Sequence, residues 1–341
     1  MARKIEAPIY ETSSADLTRS DYRIESEHGV SVFVRCVEPK KKVSAVPVLL
    51  LHGARAGCVA SFDLDLPGGS LAADLALTGH PVYLMDARGY GYSTRLDEMS
   101  RDPDQLPPLV RSDEVVTDIE RVVEFILRDT GRNRLAVMGW ATGSQWLAHF
   151  SSVRPDLVSH LILYNSLWPV RGPWPMGDAL EDSRHPGHLR PGAPGGYGRA
   201  TAESLLGRWE ESIPVSDPDT WRDPDIAAEY ARTATTADPM AAESDPPSLR
   251  TPLGAMADSF LLSRGHRLFD PAKITANVLI VRSELDFWSR QIDVDAATRD
   301  LTHAHSVHAG ILPGATHFAH LDRPEHGRSR LIELLTSFLS S

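Results

Sequence analysis

Leu135-Ala136-Val137-Met138-Gly139-Trp140-Ala141-Thr142-Gly143 is the stretch that decides how this chain is read. A short apolar run ends in Gly-x-Ala-x-Gly, and a stretch with helical spacing, 144–152, follows at once. That is the layout of a nucleophile elbow, usually Gly-x-Ser-x-Gly, a sharp strand-to-helix turn with its central residue strained at the tip. Strand and helix pass close together there, which explains Gly139 and Gly143. The tip residue here is Ala141, whose methyl group has no lone pair and cannot attack anything. The chain carries the housing of a nucleophile without the nucleophile.

On either side of this turn, apolar strands alternate with helical patterns. Residues 21–26 and 30–37 read as two short strands joined at His28-Gly29. Residues 46–51 form a continuous apolar run, as expected of a strand buried on both faces, and lead into His52-Gly53-Ala54-Arg55. Residues 70–77 have helical spacing. A further strand, 82–85, ends in Asp86-Ala87-Arg88-Gly89-Tyr90-Gly91-Tyr92-Ser93. Asp113 reads as the N-cap of a helix reaching Leu127, with Val115, Val116, Ile119, Val122, Val123 and Ile126 on one face. Residues 161–164 supply another strand. This rhythm predicts a mostly parallel sheet flanked by helices.

After Asn165 the rhythm stops. From 166 to about 250 the chain is rich in proline, holds Trp168, Trp174, Trp209 and Trp221, and shows no strong strand. So long a structureless loop would not fit a compact domain, and short helices are expected at 202–211 and 226–233. We read 166–250 as an inserted, mainly helical cap. Residues 1–165 and 251–341 are then the two parts of one core, and residues 1 to about 20 a loosely attached arm. Strands resume at 278–281 and near 307–312, and an amphipathic helix, 329–339, closes the chain.

A length of 341 residues suits one large domain with an insertion, or two modest ones. The formal charge of −11 argues against a nucleic-acid partner. Cys36 and Cys58 make neither a disulfide framework nor a cysteine zinc site. No run of about eighteen apolar residues suggests a membrane span. The first thirty residues lack the apolar centre of a signal peptide, so a cytoplasmic location is expected.

An acid and a histidine that serve the elbow should follow it in that order. Strand 278–281 runs into Arg282-Ser283-Glu284-Leu285-Asp286, and an acid just past a strand's C-terminal end lies on the active edge of the sheet. Asp286 is the choice and Glu284 the fallback. After the last strand comes Leu312-Pro313-Gly314-Ala315-Thr316-His317-Phe318, which puts His317 on the same edge.

With these pieces assembled, the chain resembles a capped member of the α/β-hydrolase superfamily, of the serine-hydrolase type. The resemblance rests on His52-Gly53-Ala54, the stretch from Asp86 to Ser93, the turn from Gly139 to Gly143, Asp286, and Gly314 to Phe318. It implies that the N–H groups of Ala54 and Thr142 form an oxyanion hole. Thr142 agrees on physical grounds, since it follows the tip at a helix N-terminus. Arg55, Trp140, Trp168 and Trp174 are the candidate substrate-binding residues. Trp140 could equally pack under the helix.

The expected activity is hydrolysis of a carboxylic ester, lactone or thioester, with a largely apolar small acyl substrate and no cofactor or metal. Two origins for Ala141 stay open. One is a Ser→Ala (or Cys→Ala) change in such a hydrolase, leaving it inactive. The other is a natural alanine, in which the His317–Asp286 pair acts as a general base in a lyase, a cyclisation or a cofactor-free reaction, or the protein only binds ligand. His303-x-His305-x-x-His308 has no carboxylate among its members and reads as a solvated segment. Arg88 is expected to fix the turn after its strand by binding carbonyls.

Overall fold

The apolar runs become the centre of a twisted sheet. The computed structural model describes residues 2–5, 16–27, 29–41 and 45–341. The first part of the chain forms β1 (Ala2–Lys4), β2 (Leu17–Glu25), β3 (Ser31–Pro39), β4 (Val48–Leu51), α1 (Cys58–Phe62), α2 (Leu71–Leu77) and β5 (Val82–Met85). Then come α3 (Ser112–Thr130), β6 (Leu135–Trp140), α4 (Thr142–Val153) and β7 (Val158–Tyr164). The next stretch holds α5 (Pro175–Asp178), β8 (Tyr197–Thr201), α6 (Ala202–Ser212), α7 (Pro224–Thr236), β9 (Ser248–Pro252) and α8 (Gly254–Ser263). The chain ends with β10 (Asn277–Leu285), α9 (Gln291–Asp300), β11 (Ser306–Thr316) and α10 (Arg328–Leu339).

The main sheet runs β1-β2-β3-β5-β4-β6-β7-β10-β11. Its first three pairings are antiparallel and the rest parallel. Every residue of β4, β5 and β6 is buried, because helices cover both faces. Alternate side chains feed two cores. Leu50, Leu84 and Met138 meet α1, α2 and α10 on one face. Leu49, Leu51 and Val137 meet α3, α4 and α9 on the other. Trp174, Trp209 and Tyr230, from the segment after β7, join the first of these cores.

Register brings the functional loops to one edge. Leu51 lies opposite both Met85 and Gly139, so His52, Asp86 and the elbow leave the sheet together. Tyr164 pairs with Trp140 and Val281, and Leu285 pairs with Thr316. Asp286 and His317 therefore emerge side by side.

Four expectations are corrected. The first twenty residues are not simply an arm, because β1 pairs with Tyr22–Ile24 in antiparallel register and β2 begins at Leu17. Ala-Arg-Lys on an exposed edge has no apolar signature. Residues 6–15 and the hairpin residue His28 lie outside the described residues. Asp113 does not cap α3. The helix starts at Ser112, whose N–H donates to Asp258 of α8 at 2.8 Å, while Glu114 accepts from Arg111 N–H. A cap 146 residues away in sequence leaves no local signal. The segment after β7 does contain strands, since β8 and β9 pair antiparallel, and the boundary at Arg250 falls inside β9. Finally, Arg88 holds the Asp118 carboxylate at 2.7 and 2.8 Å instead of carbonyls. Arg95 takes the carbonyls of Gly89, Gly91 and Arg250. Among the described residues, no helix is long and apolar enough to cross a membrane.

The elbow is closely packed, backbone against backbone. A Cβ on Gly143 would lie 2.2 Å from the Leu51 carbonyl oxygen, and one on Gly139 would lie 2.1 Å from Ser144 N. Both obstacles are backbone atoms that cannot rotate away. Gly143→Ala is expected to destabilise the chain by more than about 3 kcal/mol, beyond ordinary overpacking. Urea unfolding checks this; an unchanged midpoint would show that β4 and α4 can move apart.

Candidate active site

Ala141 sits at φ 52°, ψ −114°, a left-handed conformation that an L-residue holds only when its surroundings impose it. Its N–H donates to the Tyr164 carbonyl at 2.8 Å. Ser144, the nearest serine, is occupied inside the fold. Its hydroxyl donates to the Gly139 carbonyl and accepts from Tyr164 N–H at 3.0 Å. Thr142 Oγ1 is buried and without a partner among the described residues. Cys58 is fully buried, and burial pushes its thiol well above the usual range. None of the three stands in for the absent nucleophile.

Asp286 and His317 meet as their order suggested. His317 Nδ1–H donates to Asp286 Oδ1 at 2.5 Å. The carboxylate also accepts from Trp288 N–H at 3.0 Å, Ser289 N–H at 2.8 Å and the Ser289 hydroxyl. Those bonds fix its orientation, and the imidazole is oriented in turn. His317 Nε2 makes no hydrogen bond among the described residues, and His317 lines the same cavity as Ala141. Glu284, the fallback, is exposed and accepts from Gly314 N–H at 2.7 Å, fixing the start of the histidine loop.

His52 orients the other side of the site. The buried ring donates from Nδ1 to the Gly53 carbonyl at 2.6 Å, and its Nε2 accepts from Ala87 N–H at 3.1 Å. Burial lowers its basicity, which keeps it neutral and able to accept. Because the Gly53–Ala54 peptide is planar and trans, holding its carbonyl toward His52 aims Ala54 N–H the opposite way. Thr142 N–H, the first of α4, has no intrahelical acceptor. Two free amides thus flank Ala141.

A cavity of about 400 Å³ opens over these groups. Gly53, Ala54, Trp140, Ala141, Thr142 and His317 line its floor. Met176, Leu180, Leu205 and Tyr230, from the segment after β7, complete it with Phe287 and Trp288. Among the described residues that line it, none is a serine or cysteine. Arg55 lines it too, and its guanidinium donates to the Ser204 carbonyl of α6 at 2.9 Å. Trp140 lines the cavity, one of the two roles left open for it, and its Nε1–H donates to the His317 carbonyl at 3.1 Å.

Trp168 and Trp174 are corrections, since neither lines the cavity. Trp168 belongs to the opposite core, edge-on to Phe269, and its N–H donates to Asp293. Trp174 stands behind Trp288, whose carbonyl accepts its indole N–H at 3.1 Å. Aromatic density marked the segment but not which rings face the ligand. Sequence reading also missed Asn165. Its Nδ2 reaches Ser283 Oγ and the His317 carbonyl, both at 3.2 Å, and its Oδ1 accepts from Ser283 N–H at 2.7 Å. The one available signal was an asparagine directly after a strand, a residue that tolerates the left-handed φ of 52° found there. His303, His305 and His308 are exposed, with His303 on the Ala272 carbonyl.

The comparisons agree with this architecture. A family model described as alpha/beta hydrolase fold matches residues 46–324. The chain belongs to that family. Lipase member M from Homo sapiens is 28% identical over 155 residues, which is 44% of this chain and 36% of that protein. The chain thus spans little more than a third of that relative's length. An esterase from Exiguobacterium antarcticum superposes with a TM-score of 0.59 at 17% identity, covering 94% of this chain and 99% of that one. A thioesterase domain from the curacin biosynthetic pathway gives 0.58 at 15% identity, covering 95% and 100%. At such identities the two structures speak for the fold alone.

Asp322 ties the histidine loop to α6. It accepts from Thr316 Oγ1–H at 2.6 Å and Trp209 Nε1–H at 2.8 Å, yet burial outweighs both bonds and raises its pKa to about 7. An unfolded aspartate titrates near pH ~4. Between those values the folded chain holds the extra proton, so this group's contribution to stability is lost as pH rises, by roughly 4 kcal/mol in all. His320, whose basicity burial depresses, gives the opposite slope below about pH 6.5. Asp322→Asn should therefore gain stability over the unsubstituted chain between pH 5 and pH 8. Parallel pH–stability curves for the two chains would contradict it.

Proposed function

We propose that this chain is built to hydrolyse a carboxylic ester, lactone or thioester by a Ser-His-Asp type mechanism, with Ala141 at the nucleophile position. One observation carries the reading: an oriented histidine–aspartate pair and two free amides surround the tip of a strained elbow in a cavity lined, among the described residues, by no serine or cysteine. With a hydroxyl at position 141, His317 would take its proton as it attacked the carbonyl and later pass that proton to the leaving group. Asp286 would hold the imidazole and stabilise its cation. Ala54 and Thr142 N–H would bind the oxyanion. Water would release the acyl group; a nucleophile within the substrate would make the reaction a cyclisation or transfer. The segment between β7 and β10 acts as the cap that selects the acyl group, because Met176, Leu180, Leu205 and Tyr230 line the cavity.

The intact His317–Asp286 pair favours a second reading, in which alanine is native and His317 serves as general base without a covalent step. The two readings separate on substitution. In a serine protease, losing the nucleophile costs on the order of 10⁶ in turnover. Ala141→Ser should therefore give ester hydrolysis several orders of magnitude above the unsubstituted chain, measured on p-nitrophenyl butyrate. Equal rates for the two chains would exclude the serine-hydrolase reading and leave the general-base one.

A further inference from the structure

The cavity has a charge pattern that the rest of the chain does not. The sequence holds 46 acidic and 35 basic residues, yet Arg55, Arg199 and Arg208 line the cavity and, among the described residues, no aspartate or glutamate does. Many guanidinium groups elsewhere are paired with carboxylates, as in Arg88–Asp118, Arg250–Asp238 and Arg290–Asp293, while others, such as Arg95, take backbone carbonyls. Arg199, exposed on β8, has no carboxylate partner among the described residues. The one side-chain bond of Arg55 goes to a backbone carbonyl. Arg208 reaches only Glu211, one turn along α6, and both side chains are more than half exposed, where such a pair contributes little.

Placement brings the three together. Arg55 reaches across to the Ser204 carbonyl, and Arg208 lies one turn further along the same face of α6. Arg199 is on the strand that leads directly into that helix. A second observation points to a ligand. Tyr230, 2% exposed, lines the same cavity, and its hydroxyl has no hydrogen-bond partner among the described residues. Arg55 is close enough for its charge to act on that phenol. A hydroxyl without a protein partner at a cavity wall is free to donate to a ligand there.

We propose that the ligand of this site is an acyl compound with an anionic group, a carboxylate or phosphate, at the end away from its carbonyl. Arg199 and Arg208 hold the anion at the mouth with Arg55, and the Tyr230 hydroxyl donates to an oxygen of the chain between. The apolar wall of Met176, Leu180 and Leu205 takes the intervening carbons. This rests on the proposed function for the position of the carbonyl, but the anion site can be tested without turnover.

The experiment is equilibrium binding to the unsubstituted chain, read by tryptophan fluorescence. Monomethyl suberate carries one carboxylate, dimethyl suberate none, and methyl 6-(phosphonooxy)hexanoate a phosphate. At low salt at least one anionic probe should bind about tenfold tighter than the diester, as charge-assisted bonds to arginine predict, and the tighter of the two identifies the anion. Higher ionic strength should narrow the gap. In the double variant Arg199→Gln/Arg208→Gln the probes should bind alike, whereas Arg330→Gln, on exposed α10, should keep the preference. A diester that binds as tightly as both anions would overturn the proposal. So would a preference that survives the double substitution, or an absence of binding by all three. Failure of the hydrolase reading shows separately: Ala141→Ser would be silent on the neutral ester while the anion preference remained.

Discussion

Three hydrogen bonds converge on one carbonyl oxygen, that of His317. Trp140 Nε1–H at the end of β6, Tyr164 OH at the end of β7 and Asn165 Nδ2–H just beyond all donate to it, at 3.1 to 3.2 Å. A surface loop would have left that oxygen to water. Here it is buried and held by the two strands that flank the elbow. Asn165 also accepts from Ser283 N–H, so the end of β10 and with it Asp286 are fixed by the same side chain. The positions of Ala141, Asp286 and His317 relative to one another are thus set by backbone anchoring rather than by their own side-chain contacts. None of these bonds involves the side chain at position 141.

The strain at Ala141 has the same source. Its left-handed backbone is sustained because Gly139 and Gly143 let β6, α4 and β4 pass within backbone contact, and because Ser144 ties the turn to β7. An alanine gains nothing from being held there. The conformation makes sense where the tip side chain has to reach the cavity floor between two amides and an imidazole.

The sheet and the order of its functional loops were legible because both follow from simple physics. Runs buried on two faces read as apolar without alternation, and parallel strands send their C-terminal ends to one edge, which placed Asp286 and His317. What escaped depended on distant partners or on bare backbone. β1 is exposed and polar and shows only in its pairing with β2. Asp258 caps α3 from a helix far along the chain. In the segment after β7, tryptophan content pointed to Trp168 and Trp174, but large rings fill cores as readily as they line cavities, and these two do the former. The cavity is lined there by Met176 of α5, Leu180 just past it, Leu205 of α6 and Tyr230 of α7, single side chains that no local pattern marks as facing a ligand. The arginines at its mouth were invisible as a group because they come from three elements.

Position 141 is, on the proposed function, the nucleophile site of an otherwise assembled acyl-transfer centre. A fluorophosphonate tests it directly, since the reagent reacts with a serine only when a base and an oxyanion hole activate it. Intact-mass and peptide analysis should find one adduct per chain in Ala141→Ser, located at position 141, and none in the unsubstituted chain. An Ala141→Ser chain that stays unlabelled while folded, or an unsubstituted chain labelled at another residue, would contradict the account.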